Sequence, residues 1–528
     1  MRLFPVHTDR IAWPSGGDLY YPDVFNSLLY MVIKPFLSFA SAYNVIAVLN
    51  LVMGPFGMFL LARYLSGNSF ASFLCGVIYG FSPFILSNYH NGVTEGFCIF
   101  WLPVIYLFML KAFDENNLFF ALAAGLCAFI NGLVCWYYMF FFVFTLPLMG
   151  LYYAYLDYKK RGTAWAWVKN ARLAALLLVL CLVMIAPLGA AFKTIMSREG
   201  NLIRDKNSKE ISFILKEGLF NTAVAYDTVL NFTASAQKRS FHVGYMHPAY
   251  IGISIVLLLL LSLYHLRGKR LFLLLSGLFF LLCSFGFVLV KGRISIMGPY
   301  YLLWRFVPFF NISQFPFRFL LPASMFFCIY LSYGLKRIFE KHSAGQRMAI
   351  LILALALVLL DYAFLSPLPL PLPAFNLKVP EAIRLVARDK KDGALLDLPL
   401  MNFNYFKGRY FYYQLIHGKK ILYSINEFGS KYFMSGTVFY QVMADMHRKD
   451  LRGQAGLSQL MVFLKNYKYS YIVFHRKLLV DALQLQRIYH FDFNEAGYFL
   501  TKNLLFLEAG GYISRIGGDE NNILYRIN

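Results

Sequence analysis

Apolar residues along this chain neither alternate nor keep to one helical face; they come in long unbroken runs separated by short polar connections. Residues 173–191 and 251–263 contain no charged side chain. Runs of this kind, approaching the roughly 20 residues needed to cross a hydrocarbon core, predict membrane-spanning helices. About ten are expected, at 44–65, 70–88, 97–112, 117–133, 135–156, 171–193, 250–266, 270–290, 318–337 and 347–366. The stretch 117–156 is one continuous run, divided at the turn signal Asn131-Gly132.

The connections predict an orientation. Lys159, Lys160, Arg161, Lys169 and Arg172 crowd one short loop, Arg267, Lys269 and Arg270 a second, and Lys336, Arg337, Lys341 and Arg347 a third. By the bias of Lys and Arg towards cytoplasmic loops, these three share the inner side. Loop 89–96 lacks Lys and Arg and falls outside, with 193–248, 290–317 and everything after about residue 366. Lys291, Arg293 and Arg305 in an outer loop count the other way. Residues 24–40 are apolar but interrupted by Asn26 and Lys34 and follow Asp23, which favours a helix lying in the interface. The expected division is an external loop with interfacial helix over 1–43, a helical membrane domain over 44–366, and an extracytoplasmic domain over 367–528. No secretory leader is visible in residues 1–10. A chain that starts outside without one is expected to lack a first spanning helix.

The last predicted span stops at Leu365-Ser-Pro-Leu-Pro-Leu-Pro-Leu-Pro, since proline cannot continue a helix. Beyond it the pattern changes to a soluble α/β or α+β domain. Residues 394–398, 469–475 and 523–527 read as strands, and 380–386 and 457–466 as helices.

Composition sharpens this picture. The 528 residues are 59% hydrophobic and 15% charged, against roughly 25% charged in soluble proteins. The 50 Lys and Arg outnumber 27 Asp and Glu, yet the excess is dispersed, so a nucleic-acid partner is excluded in favour of the lipid bilayer. The seven cysteines lie in or beside apolar runs and read as small buried hydrophobes.

Three groups carry candidate chemistry. The N-terminal loop holds His7-Thr-Asp9-Arg10 and Pro14-Ser-Gly-Gly-Asp18-Leu-Tyr-Tyr-Pro-Asp23. A carboxylate there could be a general base or hold a divalent cation; an ordinary solvated loop is the alternative. His90 and Glu95 bracket a tight turn, a second candidate for substrate binding. Arg305 and Arg318 flank Gln314-Phe-Pro-Phe. An arginine opening a helix opposes the helix dipole, while its fork suits phosphate; headgroup anchoring is the alternative. His242 and His247 read as loop histidines, and Asp397, His417, Glu427 and His475 are scattered without motif spacing.

The order of landmarks is distinctive: Trp13-Pro-Ser-Gly-Gly-Asp-Leu, Ser41-Ala-Tyr-Asn, Gly76-Val-Ile-Tyr-Gly-Phe-Ser-Pro, His90, Trp101-Leu-Pro, Phe315-Pro-Phe-Arg-Phe, Leu395-Leu-Asp-Leu-Pro and Gln414-Leu-Ile-His-Gly-Lys. It resembles the polytopic GT-C glycosyltransferases, especially bacterial members with a C-terminal extracytoplasmic domain. The resemblance implies sugar transfer from a polyprenyl-phosphate-linked donor on the outer face of the cytoplasmic membrane. It also implies an acid of the first external loop, here Asp9 or Asp18, as base or metal ligand, and Arg318 against the lipid phosphate. A transporter of lipid-linked saccharides and a non-catalytic envelope scaffold are the competing classes; no paired broken helices argue for transport.

Overall fold

A computed structural model describes residues 7–135 apart from 15, 19–22 and 116; 250–307 apart from 268, 269, 287 and 291–295; and 316–366. It further describes 378–400, 404–423, 445–451, 455–481, 492–528 and isolated positions such as Tyr138. The spans expected at 135–156 and 171–193, His242, His247 and Glu427 lie outside the described residues.

The chain divides into two compact units, Tyr21–Ala190 with Ile203–Pro373, and Met1–Tyr20 with Ala191–Leu202 and Ala374–Asn528. The first is helical. Helix α1 (Val24–Ile33) starts at an Asp23 cap, and α2 (Phe39–Ser66) follows. Then come α3 (Ser69–Gly80), α4 (Pro83–His90), the single turn α5 (Thr94–Phe97), α6 (Trp101–Glu115) and α7 (Leu118–Val134). After the undescribed segment come α8 (Ile253–Leu266), α9 (Leu271–Ser284), a short antiparallel pair β3 (Val288–Val290) with β4 (Ile296–Met297), and α10 (Pro299–Phe306). A 3₁₀ turn, Pro316–Phe319, opens α11 (Leu320–Phe339), and α12 (Ala344–Leu360) ends in a π-helical turn, Asp361–Leu365.

Small residues let these helices meet closely, as lipid-embedded packing requires. A methyl group added at Gly80 would lie 2.2 Å from the Pro55 ring of α2, and one at Gly76 2.7 Å from the Pro55 carbonyl. Beside this contact α2 bares Val45, Val48, Leu49, Val52 and Phe56, an apolar face suited to lipid. Helix α11 is the buried centre, and α12 exposes Met348, Ile352, Leu353, Leu357 and Leu360. The buried Asp361 carboxylate caps α8, accepting the Ser254 amide at 2.7 Å and the Tyr250 hydroxyl. The six described cysteines are buried free thiols.

Three helical stretches among the described residues are long and apolar enough to cross a membrane: Phe39–Ser66, Pro316–Phe339 and Ala344–Leu365. A fourth is reached if α3 and α4, bent by 42° at Phe81-Ser82-Pro83, count as one. The described residues thus carry three or four of the ten expected spans at full length; apolar helices α7, α8 and α9 stand where three others were expected but run 17, 14 and 14 residues, short of the roughly 20 required. The division expected at Asn131-Gly132 is also displaced. Asn131 is fully buried inside α7, and the helix ends at Val134 with extended Cys135 as its cap.

The second unit is α/β. Its five-stranded sheet runs β6 (Lys420–Ile421), β5 (Ala394–Leu398), β7 (Tyr469–His475), β9 (Asn522–Ile527), β8 (Ile513–Gly518). β6, β5 and β7 are parallel, β9 and β8 antiparallel additions. Buried on both faces, β5 and β7 are mostly apolar, broken by Asp397, Ser470 and His475. Helices α13 (Glu381–Arg388), α14 (Asn404–His417), α15 (Ala455–Asn466) and α16 (Phe493–Ala509) accompany them.

The N-terminal segment belongs to this unit. Its short hairpin, β1 (His7–Thr8) with β2 (Gly17–Asp18), leads a backbone that runs beside β6. Ile421 N donates to Arg10 O and Trp13 N to Ile421 O, each at 3.0 Å; Ala12 N donates to Tyr423 O at 2.8 Å. Trp13 Nε1 reaches Tyr467 O at 2.7 Å. Backbones bonded in this way share one compartment, so any membrane crossings between them are even in number.

Candidate functional site

Four stretches of the helical unit converge on Asp23. Its backbone takes the left-handed conformation, φ 60°, which aspartate tolerates, and its amide donates to Val134 O at 3.2 Å. The side chain is the N-cap of α1: Oδ1 accepts Asn26 N at 3.3 Å and Asn26 Nδ2 at 2.7 Å. Asn50 of α2 donates to Asn26 Oδ1 at 2.8 Å. The Thr94 hydroxyl at the start of α5 donates to Asp23 Oδ2. Phe25 packs edge-on against Trp101, 5.3 Å between centroids, and the aspartate is only 5% exposed. That burial, more than the charge of Glu95, pushes its pKa up to about 6, against the pull of the Thr94 and Asn26 hydrogen bonds.

The residue after Thr94 makes a second electrostatic contact. Glu95 Oε1 lies 3.5 Å from Arg318 Nη2, and Arg318 Nη1 donates to Cys135 Sγ at 3.2 Å. Arg318 stands in the 3₁₀ turn that opens α11, where the helix end disfavours a cation and favours an anion. The α5 turn between the two contacts is tightly held. Tyr138 OH donates to Gly96 O at 2.7 Å, and a side chain at Gly96 would fall 2.5 Å from Asn88 Oδ1. A carboxylate with a raised pKa and a guanidinium are thus fixed through adjacent residues of one turn.

The residues expected from sequence fare differently. Glu95 and Arg318 are brought together. His90 closes α4, half-buried, and Arg305 lies exposed in the last turn of α10. Asp9 is engaged by Lys420 Nζ at 2.8 Å, and that bond lowers its pKa; Lys420 also lies over the Trp13 ring. Asp18 pairs with His7 across the hairpin. The sequence offered Asp23 only as one carboxylate of the N-terminal loop, Asp9 and Asp18 being named ahead of it through the family resemblance; the structure shows that it is also a helix cap. The Asp-x-x-Asn spacing was the available signal. Among the described residues no three His, Cys, Asp or Glu side chains gather as a metal site.

In the second unit, two residues thought scattered meet. His475 Nε2 lies 2.9 Å from Asp397 Oδ1 and its Nδ1 2.9 Å from Asn522 Oδ1, all fully or nearly buried across β5, β7 and β9. Tyr413 stacks on the imidazole. This is a bonded core network, with Asp397 pushed up by burial.

The architecture is that of a bundle of apolar helices carrying an α/β domain. No family model matches the chain, and no curated protein does. Among solved structures it is similar to the arabinofuranosyltransferase AftD from mycobacteria, with 13% identity and a TM-score of 0.47. The match covers 89% of this chain and 33% of that one, so the chain spans about a third of that protein's length. A likeness of that size decides neither fold nor activity.

Proposed function

We propose that the chain is a membrane glycosyltransferase that moves a sugar from a polyprenyl-phosphate-linked donor to an acceptor hydroxyl at the membrane surface where Asp23 lies. The observation that carries this reading is a buried carboxylate with a pKa of about 6, tied through Thr94 and Glu95 to the guanidinium of Arg318. A base with that proton affinity is ionised at neutral pH yet strong enough to accept a proton.

In this scheme the acceptor hydroxyl donates a second hydrogen bond to Asp23 Oδ2, beside that of Thr94. As the acceptor oxygen bonds to the anomeric carbon, its proton passes to Asp23. The bond between that carbon and the phosphate oxygen breaks, and its electron pair leaves with the polyprenyl phosphate. Arg318 stabilises the charge that develops there. Asp9, with its pKa lowered by Lys420, is the poorer base and is assigned the loop's attachment instead.

The test is release of polyprenyl phosphate by the purified full chain in lipid nanodiscs, offered a panel of polyprenyl-phosphate sugars and sugar acceptors. Turnover of at least one donor is expected, with Arg318→Gln reducing kcat/KM by about 10²-fold, the scale of one oxyanion-stabilising group. Passage of donor across the bilayer without release of polyprenyl phosphate would overturn the reading in favour of transport.

A further inference from the structure

We infer that Glu95 is a built-in occupant of the anion seat at Arg318, which a donor's phosphate must displace and which helps expel the phosphate product. This deepens the proposed function and rests on its reading of Arg318 as the phosphate-binding residue.

The pair has the geometry of an exchangeable contact. A charge-assisted N–H···O bond is shortest and strongest at about 2.7–2.9 Å and often bidentate; Glu95 reaches Arg318 through one oxygen and one nitrogen at 3.5 Å. The neighbouring guanidinium nitrogen donates to the Cys135 thiol, a weak acceptor. The guanidinium side chain is only 15% exposed, so it is largely desolvated, and the carboxylate beside it holds it by one long contact. A phosphate would serve it better, because its oxygens match the fork two at a time.

Glu95 can yield without disturbing its neighbours. Its side chain is 20% exposed, which leaves it room to swing. The residues on either side are anchored, Thr94 to Asp23 and Gly96 to Tyr138. Displacement is then a side-chain swing on a fixed turn, with Asp23 still held beside it.

Charge gives the swing a direction. A polyprenyl-phosphate sugar is a phosphodiester with one negative charge; transfer leaves a monoester that approaches two near neutral pH. The displaced Glu95 carboxylate repels the second form more than the first. It therefore returns to Arg318 as the product forms, which shortens product residence.

The probe is farnesyl phosphate, a short isoprenyl monoester, titrated by calorimetry into the full chain in detergent. Glu95→Gln keeps the size and removes the charge, and should tighten binding by about fivefold or more, the upper scale of a partly exposed ion pair. Glu95→Ala should do the same, which guards against an effect peculiar to glutamine. Arg318→Gln should abolish binding. If the Glu95 variants bind no tighter while Arg318→Gln loses the probe, the anion seat stands but Glu95 does not compete for it. If Arg318→Gln binds like the unaltered chain, the seat itself is wrong and the inference falls with it.

Discussion

At the scale of single residues, Asp23 is both a helix cap and a carboxylate kept from water. Its pKa is raised from 3.8 to about 6, chiefly by burial. A carboxyl whose folded pKa exceeds its unfolded one contributes stability below about pH 4 that is lost as pH rises through 6. On the order of 3 kcal/mol is therefore set against the fold at neutral pH, at 1.36 kcal/mol per unit. Asp23→Asn should leave thermal stability equal or higher at pH 7.5, in a melting experiment where a purely structural cap would lose stability. As a base, Asp23 must be ionised, so kcat/KM should rise with pH to a plateau above about pH 6. Glu95 adds to the upward shift, and Glu95→Gln should move that acidic limb to lower pH. Arg318 was legible in the sequence because it opens a helix, where the dipole disfavours a cation, and Glu95 because it brackets a tight turn with His90. Asp23 was legible only as one of several loop carboxylates, because nothing local records which of them the bundle buries.

At the scale of elements, the apolar runs marked most helix positions, and the all-buried strands β5 and β7 were visible as short apolar runs. Boundaries failed where a polar residue was absorbed into the bundle, as with Asn131 inside α7. Helix α14, rich in tyrosine and mixed in polarity, and strand β8, half-exposed, carried no clean period and escaped detection. The α2–α3 contact depends on glycine more than on hydrophobicity. Gly80→Ala would place a methyl group against the Pro55 ring and its backbone nitrogen, neither of which can rotate away. A loss of about 1–3 kcal/mol is expected, the range for overpacking a tight core. A lowered melting temperature in detergent checks it; Gly67→Ala provides no packing control, since its φ of +72° brings backbone strain instead.

At the scale of the whole molecule, nothing in the sequence announced that residues 10–13 pair with β6, some four hundred positions away. Such pairing is set by a free sheet edge, which no local pattern records. The α/β unit has its own acid sensitivity. His417 is 6% exposed, and burial, with the charges of Lys419 and His475, lowers its pKa to about 4. A histidine whose folded pKa is depressed gives stability that is full above about pH 6.5 and lost as pH falls through 4. Hydrogen exchange of the full chain should therefore show β5, β6 and α14 opening more readily at pH 5 than at pH 7. His417→Gln should flatten that dependence.

The chemistry claimed for the molecule narrows to one carboxylate. The most direct measurement is the transfer rate of Asp23→Asn beside the unaltered chain and Asp9→Asn, at pH 7.5 in the same nanodiscs. The account predicts a fall in kcat of about 10²–10⁴-fold for Asp23→Asn, the usual contribution of a general base, with Asp9→Asn keeping most of its rate. An Asp23→Asn protein that is folded and transfers sugar at the unaltered rate would contradict it.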